Sequence, residues 1–363
     1  MNISIDIYQL ARIALQDNYE DTLAMIKKIY RKEKKRDSEL AKKLENLILN
    51  NSSNNMRSNK IPHIPVDQDN RLEVLQLFVP KQLPFEPVWN DNVNEELNQL
   101  IAERIKKEEL LRASLPVSKA VLFSGIPGVG KTLAAKWLSW KLNLPLLILD
   151  LSAVISSYLG KTGNNIKNIF EYAKGFPCIL LLDELDAIAK RRDDMGEIGE
   201  LKRLVTVLIQ EMDNWPEGNL LIAATNHPDL LDPAIWRRFD YSLEFKPPQD
   251  FYRIERVLKL YLDDDYMKVE LIFEYLTACC EGLSFNEIER IIKRARRKAI
   301  LMEKSLDFIL IHEFRVKFNE LSKRRRYAIV IQLNNKEISQ RKISEITGIS
   351  RTTIKKLIGD EYG

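Results

Sequence analysis

The eight residues Gly125-Ile126-Pro127-Gly128-Val129-Gly130-Lys131-Thr132 constrain this chain more than any other stretch. They fit the pattern G-x-x-x-x-G-K-T and directly follow an apolar run, Ala120 to Ser124, that reads as a strand. Glycines at these positions let successive backbone N–H groups turn inward around phosphate oxygens, and the helix that follows presents an N-terminus that already favours anions. Lys131 is placed to reach the outer phosphates, Thr132 to offer its hydroxyl to Mg2+, and Leu133 closes the stretch expected to hold a nucleotide. A loop of this kind requires a strand before it and a helix after it, which commits the surrounding sequence to an α/β sheet.

Further runs supply that sheet. Leu144 to Leu151, Cys178 to Asp183, Leu220 to Thr225 and Tyr241 to Phe245 are short, apolar and without alternation, so they read as strands buried on both faces. The expected fold class is α/β: a parallel five-stranded sheet with helices on both faces, followed by an all-helical lid. The run Ile179-Leu180-Leu181-Leu182 ends in Asp183 and Glu184. Asp183 is expected to hold the Mg2+ ion through water, and Glu184 to orient and deprotonate the attacking water. The chemistry these residues predict is ATP hydrolysis.

Five segments follow from the rest of the pattern. Residues 1–49 carry apolar residues at helical spacing, such as Leu10, Ile13 and Ala14, and read as a helical bundle. Residues 50–70 are rich in Asn, Ser and Pro, bury too little to offset chain entropy, and read as a flexible linker. Residues 71–248 form the large α/β part, 249–321 the helical lid and 322–363 a separate basic helical unit. No apolar run reaches the length of about eighteen residues that a membrane helix requires, and Asp6 stands where a signal peptide would be basic, so a cytoplasmic protein without a membrane partner is expected. The three cysteines form no C-x-x-C pair and the three histidines are scattered, which argues against a zinc site or a disulfide framework.

Taken in order, these motifs resemble an AAA ATPase module from about Trp89 to Lys298. Ala223-Ala224-Thr225-Asn226 is similar to the family's first sensor, which implies that Asn226 lies near the γ-phosphate and the attacking water. Leu231 to Asp240 resembles the arginine-finger segment, which implies that Arg237 and Arg238 act on a neighbouring subunit's ATP and that the chain is a homo-oligomer, a hexamer by the same resemblance. The spacing of that segment is like the severing and membrane-remodelling branch. Tyr158-Leu159-Gly160 resembles the aromatic-aliphatic-glycine pore loop that grips an extended protein substrate. Phe285 and Asn286 replace the family's Gly-Ala pair beside the nucleotide, and Tyr261 falls where an adenine-contacting histidine is frequent. Free-standing bacterial ATPases of this build resemble those paired with a subtilisin-like serine protease in phage defence, which implies such a protease as partner.

Gln340 to Ile358 looks like a helix-turn-helix. Gly348 stands at the turn, Ser350 at the cap of the second helix, and Ile343, Ile346, Ile349, Ile354 and Leu357 form the buried face. Arg351, Thr352, Lys355 and Lys356 would lie on the open face, where they suit either contact with DNA or docking on protein. A DNA-dependent ATPase targeted by this unit is therefore the alternative to a protein-threading motor.

Overall fold

The structure, a computed structural model, describes residues 26, 29, 30, 75–157, 162–190 and 198–359. The chain divides into two units, Met1–Pro65 and Val66–Gly363. In the first, Ile26, Ile29 and Tyr30 are helical; the rest of the expected bundle, the linker 50–70 and the pore-loop residues Tyr158, Leu159 and Gly160 lie outside the described residues.

The second unit is built on a six-stranded sheet among the described residues: β1 (Leu75–Phe78), β2 (Ala120–Ser124), β3 (Leu146–Asp150), β4 (Ile179–Asp183), β5 (Leu220–Thr225) and β6 (Tyr241–Glu244), in the order β1-β3-β4-β5-β2-β6. All five strands expected from the sequence are present and parallel to one another. The expected count of five omits β1, which pairs antiparallel with β3 at the sheet edge. Its four residues, Leu-Gln-Leu-Phe, are only partly buried and lack the uniform apolar run that marks the central strands. The β3 run is also shorter than its apolar sequence, because Leu151 already opens the next helix.

Both faces of the sheet are covered. Val121, Phe123, Leu146, Ile179, Leu181 and Ile222 share one core with α1 (Asp91–Ile105) and α2 (Lys131–Leu142), where Trp89 packs edge-on against Trp137 and Phe245. The alternate residues Leu122, Leu147, Leu180, Leu182 and Leu221 point the other way and are equally buried, as are Ile166 and Phe170 of α4 (Thr162–Lys174) and Leu204 and Leu208 of α5 (Ile198–Asp213). Helix α3 (Leu151–Ser157) links β3 to the stretch before α4. Burial on both faces explains why these strands read as continuous apolar runs.

The stretch expected to form the lid comprises α6 (Phe251–Leu262), α7 (Phe273–Cys280), α8 (Phe285–Leu301) and α9 (Leu306–Glu320). Helix α8 buries Ile288, Ile292 and Ala295 at helical spacing and starts at a capping box, in which Ser284 accepts from the Glu287 N–H while the Glu287 carboxylate accepts from the Ser284 N–H. Three further helices, α10 (Lys323–Asn335), α11 (Gln340–Thr347) and α12 (Arg351–Gly359), complete the chain. The stretch read as separate from residue 322 shares one apolar core with the lid: Ile329, Val330, Leu333, Ile343, Ile346 and Ile354 join Tyr275, Leu310 and Phe314. Among the described residues no helix is long and apolar enough to cross a membrane.

Candidate nucleotide site

The phosphate loop leaves the end of β2, between β5 and β6, where the parallel strands present their C-terminal edge. Register aligns that edge: Ser124 lies opposite Thr225, and Leu182, one residue before Asp183, lies opposite Ala223. Open parallel sheets bind ligands at such an edge because the chain diverges there and leaves a crevice.

Gly125, Gly128 and Gly130 all adopt positive φ, at 143°, 80° and 96°. A side chain at Gly125 would collide with the Phe245 carbonyl, and one at Gly128 would place its Cβ 2.7 Å from the Asn286 Cβ and 3.1 Å from Ser284 Oγ. The first turn of the lid helix α8 therefore lies against the loop, and the Asn286 N–H donates to the Gly128 carbonyl at 3.3 Å. Gly128→Ala must adopt a left-handed conformation that costs about 1–2 kcal/mol and must push α8 aside as well. The expected result is a thermal unfolding midpoint lower by roughly 2–8 °C in calorimetry, together with weaker nucleotide binding.

Lys131 opens α2. Its ammonium donates to the carbonyls of Gly125 at 2.5 Å and Ile126 at 3.2 Å and to Oδ1 of Asn226 at 2.8 Å. Burial pushes its pKa below the ordinary lysine value, and the Asp183 and Asp186 carboxylates oppose that shift. Thr132 Oγ1 donates to Asp183 Oδ2 at 3.0 Å. Val129 is fully buried, Leu133 packs on the sheet core, and Ile126 and Pro127 face solvent.

Beyond Asp183 the chain turns sharply. Glu184 has φ 56°, a left-handed conformation that an L residue adopts only at a cost of about 1–3 kcal/mol. Its N–H donates to Asp183 Oδ1 at 3.0 Å, the Leu185 N–H donates to the Ala224 carbonyl at 2.9 Å, and the Glu184 side chain is left exposed at the strand end. Asp186, two residues further, is a site residue that the sequence reading missed. It is buried, and its Oδ1 accepts from Thr225 Oγ1 and from the Asn226 N–H, both at 3.1 Å, so it fixes the backbone from which Asn226 reaches Lys131. A third acid amid the apolar residues Leu185, Ala187 and Ile188 was the available signal.

The two arginines have different surroundings. Arg237 is exposed at the C-terminal cap of the short helix Pro233–Trp236. Arg238 forms an ion pair with Asp213 at the end of α5 of its own chain, Nε to Oδ1 2.8 Å and Nη2 to Oδ2 3.3 Å. Tyr261 is partly buried against the lid core, where burial pushes its phenol up to about 12. Phe285 packs on the same core, while the Asn286 side chain is exposed beside the loop.

This donor set fits a nucleotide and its metal. The glycine turn and the buried Lys131 ammonium suit phosphate oxygens, and the adjacent Thr132 hydroxyl and Asp183 carboxylate are the hard oxygen ligands that Mg2+ prefers. Fold and site together define a P-loop nucleotide-binding domain. Residues 121–247 match the model of the ATPase family associated with various cellular activities (AAA), so the chain carries an AAA family ATPase domain.

It is similar to an uncharacterized AAA family ATPase of Sinorhizobium fredii, 44% identical over 207 residues, which cover 56% of this chain and 61% of that protein. The 26S proteasome regulatory subunit S10B homolog B of Arabidopsis thaliana is 31% identical over 239 residues, covering 64% and 59%. The proteasome-activating nucleotidase of Methanocaldococcus jannaschii is 28% identical over 275 residues, covering 73% and 63%. The chain thus spans less than two thirds of the length of these curated relatives. The domain match and the ATPase-named relative support ATP binding and hydrolysis.

Proposed function

We propose that this chain is an ATP-hydrolysing ring motor, a hexamer acting in the cytoplasm, that remodels, unfolds or threads protein substrates. The observation that carries the ATP-hydrolysing reading is the pairing of Lys131 with Asn226 and of Thr132 with Asp183 by hydrogen bonds at the C-terminal edge of the sheet. Lys131 and the backbone of Gly125 to Thr132 hold the phosphates, Thr132 and Asp183 hold Mg2+, and Asn226 orients the attacking water. Glu184, whose carboxylate faces solvent at the strand end, takes the proton of that water. Bound Mg2+ supplies charge neutralisation at the phosphates. Arg237 serves a neighbouring subunit's site, and Arg238, paired with Asp213 of its own chain, supports the segment that presents it.

The protein-substrate reading draws support from relatives named as proteasome-activating nucleotidases and proteasome regulatory subunits. In it, Tyr158, Leu159 and Gly160 line a central pore and pass the extended chain to a separate peptidase, a subtilisin-like serine protease of a bacterial phage-defence pair. The test is ATP turnover by the purified protein, alone and with a permanently unfolded polypeptide. Stimulation by the polypeptide that disappears in Tyr158→Ala, with basal turnover within about twofold of wild type, is the expected outcome. Stimulation that survives the substitution removes Tyr158 from the reading. Stimulation by duplex DNA and not by polypeptide replaces the reading with a DNA-dependent ATPase. Absence of a peptidase encoded beside the chain removes the protease pairing.

A further inference from the structure

The C-terminal end of the chain carries charge that ATP turnover does not use. Residues 322–363 hold ten Lys or Arg against four Asp or Glu, a net +6 where the whole chain is +4. Position makes this charge specific. Helix α11 ends at Gly348, whose φ of 72° turns the chain and whose N–H donates to the Ser344 carbonyl at 2.8 Å. Two residues later Ser350 accepts from the Thr353 N–H at 3.3 Å and starts α12. A three-residue turn between two short helices, with Ile343, Ile346 and Ile354 buried between them and α10, leaves one way for α12 to face.

With Ile354 inward, the outer side of α12 presents Arg351 above Lys355 and Thr352 above Lys356, both pairs at i,i+4, and all four side chains are exposed. Among the described residues none of the three cations on this face is paired with a carboxylate, whereas on α11 Arg341 pairs with Glu345 and Lys342 approaches Asp307 and Glu345. The turn is also braced from behind. Arg315 of α9 donates to the Glu345 carbonyl at 2.9 Å and lies 2.5 Å from where a Gly348 Cβ would stand. The result is a helix packed through Ile354 whose four exposed side chains among Arg351–Lys356 are cations and a hydroxyl.

We propose that this unit docks on duplex DNA with α12 in the major groove, which is wide enough to admit a helix and edged by phosphates on both sides. Lys355 and Lys356 neutralise phosphates, and Arg351 and Thr352 reach base edges near the N-terminal end of the helix. Three exposed cations along one helix face, without carboxylate partners among the described residues, are complementary to a groove edged by phosphates on both sides. The inference does not depend on ATP turnover, because docking requires no nucleotide.

The test is fluorescence anisotropy of a labelled 30-base-pair duplex titrated with the full chain, without nucleotide, across a salt series. Lys355→Gln/Lys356→Gln is expected to bind at least about tenfold more weakly near 0.1 M salt and to lower the slope of log affinity against log salt by about 2, close to one per lost phosphate contact. Lys81→Gln/Lys106→Gln, exposed charges elsewhere, should leave affinity within about twofold. Absence of duplex binding at low salt overturns the proposal, as does an equal effect of both double substitutions. Displacement of the duplex by polyglutamate at matched charge also overturns it, and assigns the face to an acidic protein instead. Circular dichroism on each variant separates these outcomes from unfolding.

Discussion

Glu184→Gln retains ATP while turnover falls by about 10²–10⁴-fold, the contribution expected of a positioned general base. Glutamine keeps the length and polarity of the side chain and removes only its capacity to take a proton. Nothing that binds the nucleotide is altered, because the hydrogen bonds of Lys131 to the loop carbonyls and to Asn226, and of Thr132 to Asp183, do not involve the Glu184 side chain. The left-handed turn at residue 184 is no harder for Gln than for Glu, so the strand end keeps its shape. Single-turnover hydrolysis, measured beside the affinity for a fluorescent ATP analogue, checks both halves of the expectation. Turnover near the wild-type rate would mean that the base lies elsewhere, and a loss of affinity equal to the loss of rate would make Glu184 a binding residue.

The parts of this site legible in the sequence were those written in one continuous stretch. The glycine loop is readable because each of its backbone demands excludes other residues, as the Phe245 carbonyl does at Gly125 and α8 does at Gly128. Asp183 and Glu184 are readable because a fully buried strand cannot continue through two carboxylates. What remained hidden depends on residues far apart in the chain. Asp186 takes its meaning from the backbone of Asn226, forty positions away, and Arg238 from Asp213 at the end of another helix.

Edge strand β1 was missed for a different reason. Half-exposed and short, it shares its alternation with many loops, and only pairing with β3 makes it a strand. The boundary placed before residue 322 followed the change in charge, but charge reports the surface. The core beneath runs on from Phe314 through Val330 to Ile346 without a break.

Arg237→Ala is expected to lower turnover by about 10³–10⁵-fold, the range of an arginine that stabilises charge on a transferring phosphoryl group. Arg238→Ala should cost much less. The Arg238 guanidinium already forms an ion pair with Asp213, with one hydrogen bond from Nη2, so its removal breaks a half-exposed ion pair worth about 0.2–1 kcal/mol. Arg237 is exposed at the end of the Pro233–Trp236 helix and is free to meet another subunit.

A mixing experiment checks both the assignment and its action in trans. Arg237→Ala and Glu184→Gln subunits, each inactive alone, are combined and assayed for turnover. In a mixed ring, a subunit with intact Glu184 meets a neighbour with intact Arg237, so activity returns to a fraction set by how often that pairing occurs. Recovery that rises and falls with the mixing ratio is the outcome of an arginine working across a subunit boundary. No recovery at any ratio, with assembly intact by light scattering, would place Arg237 in the site of its own chain.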